Sequence, residues 1–119
     1  MLISWFELPS KDINRAVEFY NEVFGMNLQV IDFNGMNMAM FTDNPNITGG
    51  AIVENEFSSP GDTGTTVYFA VEDVEETINK VEAAGGSVVV PKTQISEEYG
   101  YYGQFVDTEG NKVGLHSIK

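Results

Sequence analysis

Hydrophobic and polar positions along the chain follow two spacings, one helical and one alternating. The helical spacing recurs every three or four residues in positions 13–24, where its apolar members are Ile13, Ala16, Val17, Tyr20, Val23 and Phe24. A second run of this kind starts at Val74 and reaches Ala84. Asp12 and Asp73 precede the two runs as N-cap residues and glycines follow them, so the pattern predicts two helices.

Alternating strand patterns surround both helices. Strands are predicted at residues 5–8 and 66–71, and a hairpin at "MNLQVIDF-NG-MNMAMF", because Asn-Gly is the favoured two-residue turn. Four more strands follow in "GGAIVENEF", "SVVVPKT", "GYYGQFVD" and "NKVGLHSI". The polar segment "QISEEYG" is predicted to be a loop. The pattern therefore predicts an α+β fold with the element order βαβββ twice.

The two halves of the chain resemble each other. The segment "WFELPSKDINRAVEFYNEVFG" at residues 5–25 aligns with "TVYFAVEDVEETINKVEAAGG" at residues 66–86. A repeat at half the chain length indicates a duplicated module and not a solenoid, which needs at least three copies. We expect a single domain over residues 1–119, with module one at about 1–57 and module two at about 64–119.

Composition narrows the possible partners. The chain has 18 acidic and 6 basic residues, a net charge of −12, and its cations form no cluster. This charge repels phosphates and anionic lipids, so neither nucleic acid nor membrane is an expected partner. It favours neutral or cationic ligands, although acidity also serves solubility alone. The absence of cysteine excludes disulfides and thiolate ligands. Without a spanning segment or signal-peptide pattern, a cytoplasmic location is expected.

Two stretches carry a resemblance to a known family. They are "ELPSKDINRAVEFYNEVFGM" and "YFAVEDVEETINKVEAAGG…FVDTEGNKVGLHS", which combine a strand-Asp-helix entry with an acidic turn before the last strand. Over essentially the whole chain this resembles the vicinal-oxygen-chelate superfamily, which includes glyoxalase I, extradiol dioxygenases and bleomycin-binding resistance proteins. The resemblance implies paired modules whose curled mixed sheets surround a concave cavity, and a homodimer. It does not by itself imply an activity, since one fold hosts many chemistries.

The resemblance also implies where metal ligands would stand. Metal-dependent members carry histidine or glutamine at the start of each first strand and glutamate on each last strand. These positions fall on Trp5, Thr66 and Gly114, and less directly on Gly50. Because divalent ions need imidazole or carboxylate donors, we expect no metal and no other cofactor.

Strand alternation separates residues that face the helices from residues that face the cavity. The predicted cavity residues are Trp5, Glu7, Met38, Tyr68, Tyr101 and His116, with Met40 beside Met38 and Tyr102 as the alternative to Tyr101. Aromatic rings with one carboxylate suit a flat or cationic molecule. The plain structural alternatives are that Trp5 and Tyr68 fill the former metal pocket and that His116 is a packed residue.

We therefore predict a domain that lacks the metal ligands and binds a small neutral or cationic aromatic molecule. The alternative is a lyase or isomerase that uses Glu7 or His116 as its catalytic group, with no metal or an atypical one. A third possibility is an interaction domain whose cleft holds no ligand.

Overall fold

The protein is described by a computed structural model that covers residues 3–44 and 46–119. Module one contains β1 (Trp5–Pro9), α1 (Ile13–Phe24), β2 (Ile31–Phe33), β3 (Met36–Met40) and β4 (Gly49–Glu54). Module two contains β5 (Tyr68–Ala70), α2 (Val74–Ile78), β6 (Ser87–Ser96), β7 (Gly100–Val106) and β8 (Lys112–Ser117). The predicted α+β class and the twofold βαβββ order are confirmed.

Each module forms its own four-stranded mixed sheet. The strand order is β1-β4-β3-β2 in sheet one and β5-β8-β7-β6 in sheet two. The β1–β4 and β5–β8 pairs are parallel and the others are antiparallel. Within residues 3–44 and 46–119, no strand of one sheet comes within 8 Å of a strand of the other between Cα atoms. The two sheets are therefore not closed into one barrel.

The main hydrophobic core lies between the helices and the two sheets. Helix α1 packs on β3 and β4, and α2 packs on β6, β7 and β8. The modules meet through aromatic side chains, with the ring centroids of Phe6 and Phe69 5.5 Å apart. The apolar stripe of α1 supplies six buried residues to this core. Five of them were predicted from the helical spacing, whereas Phe19 was not, and the predicted Phe24 is only partly buried. None of the helices in the described ranges has the length and apolarity to cross a bilayer.

The helix ends match their sequence signals. The Asp12 side chain accepts a hydrogen bond from the backbone N–H of Arg15, and Asp73 accepts one from Glu75. Gly25 ends α1 in the left-handed region, at a φ of 63°. The positions of both N-caps and of the first C-cap are thus as predicted.

Helix α2 is shorter than its apolar spacing predicts. It ends at Ile78. The segment from there to Ala84 is a series of turns with hydrogen bonds that span fewer residues, such as the one from Lys80 N–H to the Thr77 carbonyl oxygen at 3.1 Å. These bonds join residues three apart, the 3₁₀ pattern. Val81 is nonetheless fully buried. The spacing therefore predicted which residues reach the core, but not a continuous α-helix.

Sheet two also differs from the prediction in one place. The predicted loop at residues 94–100 is largely strand, since β6 continues to Ser96 and β7 begins at Gly100. The pairing of β6 with β7 contains three register shifts along its length. Bulges of this kind interrupt the alternation from which strands are recognised. The predicted hairpin in module one is present, with positive φ at Asn34 and Gly35.

The acidic turn between β7 and β8 connects the two modules through Glu109. Its carboxylate accepts hydrogen bonds from the N–H groups of Lys11 and Asp12 at 2.9 Å each, and from Arg15 Nε at 2.7 Å and Nη2 at 3.0 Å. The Glu109 side chain is fully buried. Burial alone would raise its pKa, but the hydrogen bonds from Arg15 and from the two N–H groups outweigh it and lower the pKa to about 2.

Asp107 in the same turn makes a second connection. It accepts a hydrogen bond from the buried hydroxyl of Tyr20 at 2.7 Å. Burial, and then the negative charge of Asp107, raise the pKa of Tyr20 well above its ordinary value. Asn111 donates both to Asp107 at 3.1 Å and to the backbone carbonyl of Pro9 at 2.8 Å. Module two thus binds the start and the middle of α1.

Replacing Glu109 with glutamine should destabilise the chain in a pH-dependent way. The folded pKa of about 2 lies below the ordinary 4.5, so the carboxylate stabilises the fold fully above pH 4.5 and loses this effect as the pH falls toward 2. We expect Glu109→Gln to lower the free energy of unfolding at pH 7 by about 2 kcal/mol, discounted from the full shift because Arg15 is half exposed. The measurement is chemical denaturation followed by circular dichroism from pH 7 to pH 2.

The matched control for this experiment is Glu82→Gln, which removes a carboxylate from an exposed position. It should leave the free energy of unfolding within about 0.5 kcal/mol of wild type. The difference between wild type and Glu109→Gln should shrink as the pH approaches 2. A difference that stays constant with pH would contradict the assigned role of the charge.

Candidate functional site

Gly114 lies beneath an aromatic ring. It pairs with Tyr68 across the parallel β5–β8 ladder. A Cβ atom at Gly114 would overlap the Tyr68 ring and would stand only 2.6 Å from its Cγ atom. The Tyr68 hydroxyl accepts a hydrogen bond from Gln104 Nε2 at 2.6 Å, which holds the ring in place. A glycine is therefore required in the middle of the last strand.

His116 lies two residues further along the same face. It pairs with Ala70 on one side and with Tyr102 on the other. Its Nε2 atom is 2.6 Å from the backbone carbonyl oxygen of Tyr99. A carbonyl oxygen only accepts, so Nε2 is the protonated donor in this contact and Nδ1 is the ring nitrogen that the contact leaves free. The histidine is thus positioned by the backbone as a base or an acceptor at Nδ1.

These residues border a shallow cavity on the face of sheet two that points away from the helices. Its volume is about 460 Å³, and its lining consists of Tyr68, Ile95, Tyr102 and His116. Three of the four side chains are aromatic rings, and Tyr68 is 46% exposed. The size falls within the range of small-molecule sites. The lining offers stacking surfaces, one imidazole and the hydroxyl groups of two tyrosines.

Trp5 and Glu7 occupy the corresponding face of sheet one. Trp5 Nε1 donates to Glu7 Oε2 at 3.3 Å, so the two side chains point the same way along β1. The tryptophan is 41% exposed and lies against Gly49, where a Cβ atom would stand 3.2 Å from Trp5 Cζ3. The carboxylate of Glu7 and the indole ring therefore form one exposed polar and aromatic patch.

Met38 lies on this face as well. It pairs with Val53, and both belong to a small buried cluster with Ala51 that is separate from the main core. Ala39 and Ile52, which alternate with them, lie in the main core under the helices. Met38 itself is buried, so it packs within this face and offers little surface to a ligand.

The predicted single cavity is divided between two separate faces within one chain. Trp5, Glu7 and Met38 lie on sheet one, whereas Tyr68 and His116 lie on sheet two. Within the described ranges, no strand of sheet one contacts a strand of sheet two. Strands β1 and β5 are connected through aromatic side chains on the helix side. Strand alternation predicts the face of each residue but not whether two faces meet.

Tyr101 does not lie on the His116 face. It pairs with Ser117, whose hydroxyl accepts a hydrogen bond from the first N–H of α2, at Val74. The Lys92 Nζ atom stands 4.5 Å from the centre of the Tyr101 ring. This ring therefore packs on the helix side, and the neighbouring Tyr102 occupies the cavity face. Strand alternation shows which of Tyr101 and Tyr102 faces the cavity only when the pairing register of β7 with β8 is known.

Gly50 also faces the helices. It pairs with Phe6, and a Cβ atom at Gly50 would overlap the Phe6 ring. On β4 the residues that share the face of Trp5 are Gly49, Ala51 and Val53. The last-strand ligand position that was assigned to Gly50 by comparison with the second half is therefore displaced by one residue. A shift of one residue reverses the direction of a side chain in a strand.

The sequence model of the Glyoxalase/Bleomycin resistance protein/Dioxygenase superfamily matches residues 2–115. The chain belongs to this superfamily. A glyoxylase-like domain-containing protein from Didymella fabae is 30% identical over 113 residues, which make up 92% of this chain and 88% of that protein. The anthracycline biosynthesis protein DnrV from Streptomyces peucetius is 26% identical over 73% of this chain. The chain spans only 36% of that relative's length.

Solved structures of the superfamily show the same fold. Glyoxalase I from Zea mays superposes with a TM-score of 0.73 at 21% identity, over 97% of this chain and 45% of that chain. The fosfomycin resistance protein FosX from Listeria monocytogenes superposes with a TM-score of 0.71 at 20% identity, over 98% of this chain and 90% of that chain. At these identities the similarity concerns the fold.

The divalent metal of the superfamily does not fit this chain. The positions transferred from metal-dependent members hold Trp5, Thr66 and Gly114, and only the Thr66 hydroxyl could donate an electron pair. The space beside Gly114 is taken by the Tyr68 ring. Within residues 3–44 and 46–119, no three side chains among histidine, aspartate and glutamate are grouped as a metal site would need.

Sequence reasoning missed Gln104 and Ile95 on the sheet-two face, and it named Tyr102 only as the alternative to Tyr101. Gln104 and Tyr102 alternate with buried residues on β7, so a consistent alternation along that strand would have included Gln104. Ile95 lies in the predicted loop and beyond two of the register shifts of β6. No signal in the sequence places Ile95, because each bulge reverses the face of the residues that follow.

The contact between Gly114 and Tyr68 can be tested by a double-mutant cycle. We expect Gly114→Ala to lower the free energy of unfolding by about 1–3 kcal/mol, because the new methyl group displaces the Tyr68 ring. In a Tyr68→Ala background the same substitution should cost less, with a coupling of about 1 kcal/mol or more. Gly61→Ala is the control, since no atom of the described residues other than its two chain neighbours lies within 4 Å of its Cβ position. Additive effects in urea denaturation would contradict the proposed overlap.

Proposed function

We propose that the chain is a metal-free ligand-binding member of the superfamily, whose exposed sheet faces bind a small neutral or cationic aromatic molecule. The observation that carries the proposal is the Tyr68 ring over Gly114, which puts an aromatic surface where metal-dependent members carry a glutamate. Replacing a ligand by a ring removes the means of metal catalysis and adds a stacking surface. Trp5 supplies a second exposed ring on the other face.

The charge of the chain supports the same class of ligand. A net charge of −12 attracts cations to a protein and repels anions. Glu7 stands beside the Trp5 ring, with its Oε2 atom bound by the indole, so a cation near this patch meets a carboxylate and a ring together. One relative carries a name that connects it with anthracycline biosynthesis. Anthracyclines are flat, fused-ring aromatic molecules, the kind of ligand that such faces suit.

Ligand binding should depend on the two aromatic faces. With 9-aminoacridine as a flat cation, we expect a rise in melting temperature and quenching of the fluorescence of Trp5, the sole tryptophan. Acridine-9-carboxylate, a flat anion, should bind at least about tenfold more weakly, since the field of the protein opposes it. Trp5→Ala or Tyr68→Ala should weaken binding of the cation by roughly threefold to thirtyfold, the range for losing one cation–π or stacking contact. Binding to Trp5→Ala is followed by the melting temperature alone, because this variant has no tryptophan.

Phe57→Ala serves as the control for this experiment, because Phe57 is exposed and lies outside both sheets. It should leave the affinity for 9-aminoacridine unchanged. Equal binding of the cation and the anion would overturn the charge argument. Stabilisation by Ni²⁺, Zn²⁺, Mn²⁺ or Fe²⁺ that disappears in His116→Ala would overturn the metal-free proposal and favour an atypical metal enzyme.

A homodimer is part of the proposal, because one chain leaves both faces open. Phe33 is 55% exposed on the Met38 side of sheet one, and Tyr99 is exposed beside His116. Pairing two copies would cover such apolar surface and would place sheet one of one copy against sheet two of the other. Predicted cavity residues that are separate in one chain would then lie together.

Sedimentation velocity should show a dimer at micromolar concentration. We expect Phe33→Glu to weaken the dimer by at least about tenfold, because an unpaired charge would be buried at the interface. The matched control is Phe57→Glu, the same change at an exposed site outside the sheets. A wild-type chain that sediments only as a monomer would contradict dimer formation. It would not decide the ligand proposal, which is tested by the 9-aminoacridine titration.

A further inference from the structure

A second cavity lies on the opposite side of the sheets, between the end of α1 and the start of α2. Its volume is about 520 Å³, within the range of small-molecule sites. Val23, Phe24 and Met26 line it from module one, and Val71, Thr77 and Lys80 line it from module two. The cavity thus forms where the two modules meet.

The floor of this cavity is aromatic. Four phenylalanines line it and form one connected cluster, namely Phe6, Phe24, Phe41 and Phe69. The ring centroids of Phe24 and Phe69 are 4.9 Å apart, and those of Phe41 and Phe69 are 5.1 Å apart. All four side chains are only partly buried, so their rings keep free surface toward the cavity. Such a floor accepts an apolar or aromatic group and offers ring faces to a cation.

The rim of the cavity is acidic. Glu72, Asp73 and Glu76 line it together with a single cation, Lys80. Asp73 is already paired with Lys92 at 2.9 Å. Glu72 and Glu76 are exposed and make no salt bridge within residues 3–44 and 46–119. Two free carboxylates therefore stand beside the aromatic floor.

Helix α1 adds to this negative field. Its last turn contains no basic residue, so the partial negative charge of its carbonyl end is not compensated from within the helix. Phe24, the last residue of the helix, lines the cavity. An ammonium group at the rim would interact favourably with the two carboxylates and with this helix end.

This cavity is distinct from the sheet faces of the proposed function. Its rings Phe6 and Phe69 alternate along their strands with Glu7 and Tyr68, so they point to the opposite side. The Phe6 and Phe69 side chains pack against the main core under the helices. Trp5, Tyr68 and His116 are not among the residues that line this cavity.

We propose that the cavity between α1 and α2 is a second binding site, which takes a small amphipathic cation. The apolar or aromatic part of the ligand lies on the phenylalanine floor. Its ammonium group lies at the rim beside Glu72 and Glu76. Lys80 limits the affinity, because it is the one positive charge among the lining residues.

The test uses three isosteric probes on the intact chain, namely 4-phenylbutylamine, 4-phenylbutan-1-ol and 4-phenylbutanoate at pH 7. Binding is followed by ¹H–¹⁵N correlation spectra. We expect the amine to bind about fivefold or more tightly than the alcohol, and the carboxylate to bind weakest, as expected for groups that approach two free carboxylates. The shifted amides should lie at residues 47–50 and 69–80. Amides of Tyr102 and Gln104 should stay unchanged.

Charge variants separate this site from general attraction to an acidic protein. Glu72→Gln with Glu76→Gln should weaken amine binding roughly threefold to tenfold and leave alcohol binding unchanged. The control pair, Glu75→Gln with Glu82→Gln, makes the same change in net charge at exposed positions outside the cavity lining and should have no effect. All four positions are exposed, so the variants are expected to fold. Lys80→Gln should strengthen amine binding about twofold or more.

Any of the following results would overturn the proposal. The first is equal affinity for the amine and the alcohol, which would remove the cationic part. The second is an equal loss of amine binding in the control pair, which would show attraction by net charge alone. The third is a set of shifted amides confined to the sheet faces, or no binding of any probe. None of these outcomes would bear on the proposed function, which is tested separately by the binding of 9-aminoacridine to the sheet faces.

Discussion

The structure depends on a buried carboxylate that joins two copies of the same module. Glu109 belongs to module two, yet every one of its long-range hydrogen bonds reaches the start of α1 in module one. Taking this charge out of water is tolerated only because two N–H groups and a guanidinium replace the lost hydration. Asp107 and Asn111 extend the same connection to Tyr20 and Pro9. The acidic turn thereby fixes how the modules sit against each other.

This connection decides what remains exposed. It joins the modules on their helix side, where the phenylalanine cluster completes the core. The opposite faces of both sheets stay open, and with them the rings of Trp5 and Tyr68. The same arrangement leaves the inter-helix cavity at the junction. Both proposed binding regions thus result from the same packing of the modules. The first region lies on the open sheet faces, and the second lies in the cavity between α1 and α2.

The sequence was sufficient for most of the fold, because the determining signals are local. Asp12 and Asp73 cap their helices, and Asn34–Gly35 turns the hairpin, through interactions that span only a few residues. Errors arose where tertiary packing overrides a local pattern. The segment after Ile78 keeps its apolar contacts in a series of turns, and the bulged strand β6 extends into a predicted loop. Neither feature leaves a mark in the spacing of apolar residues.

The sequence by itself determined that the chain has two similar modules, since this follows from residue identity at aligned positions. That the usual metal ligands are missing followed only once the family resemblance had placed them at Trp5, Thr66 and Gly114. The sequence also determined the face of most strand residues, Glu7 and His116 among them, because a side chain in a strand alternates with period two. Only the tertiary structure decided that the two faces are separate and that Gly50 and Tyr101 point to the helices. It also showed that the glycine at position 114 makes room for Tyr68. These properties depend on register and on contacts between residues far apart in the chain, which no local pattern records.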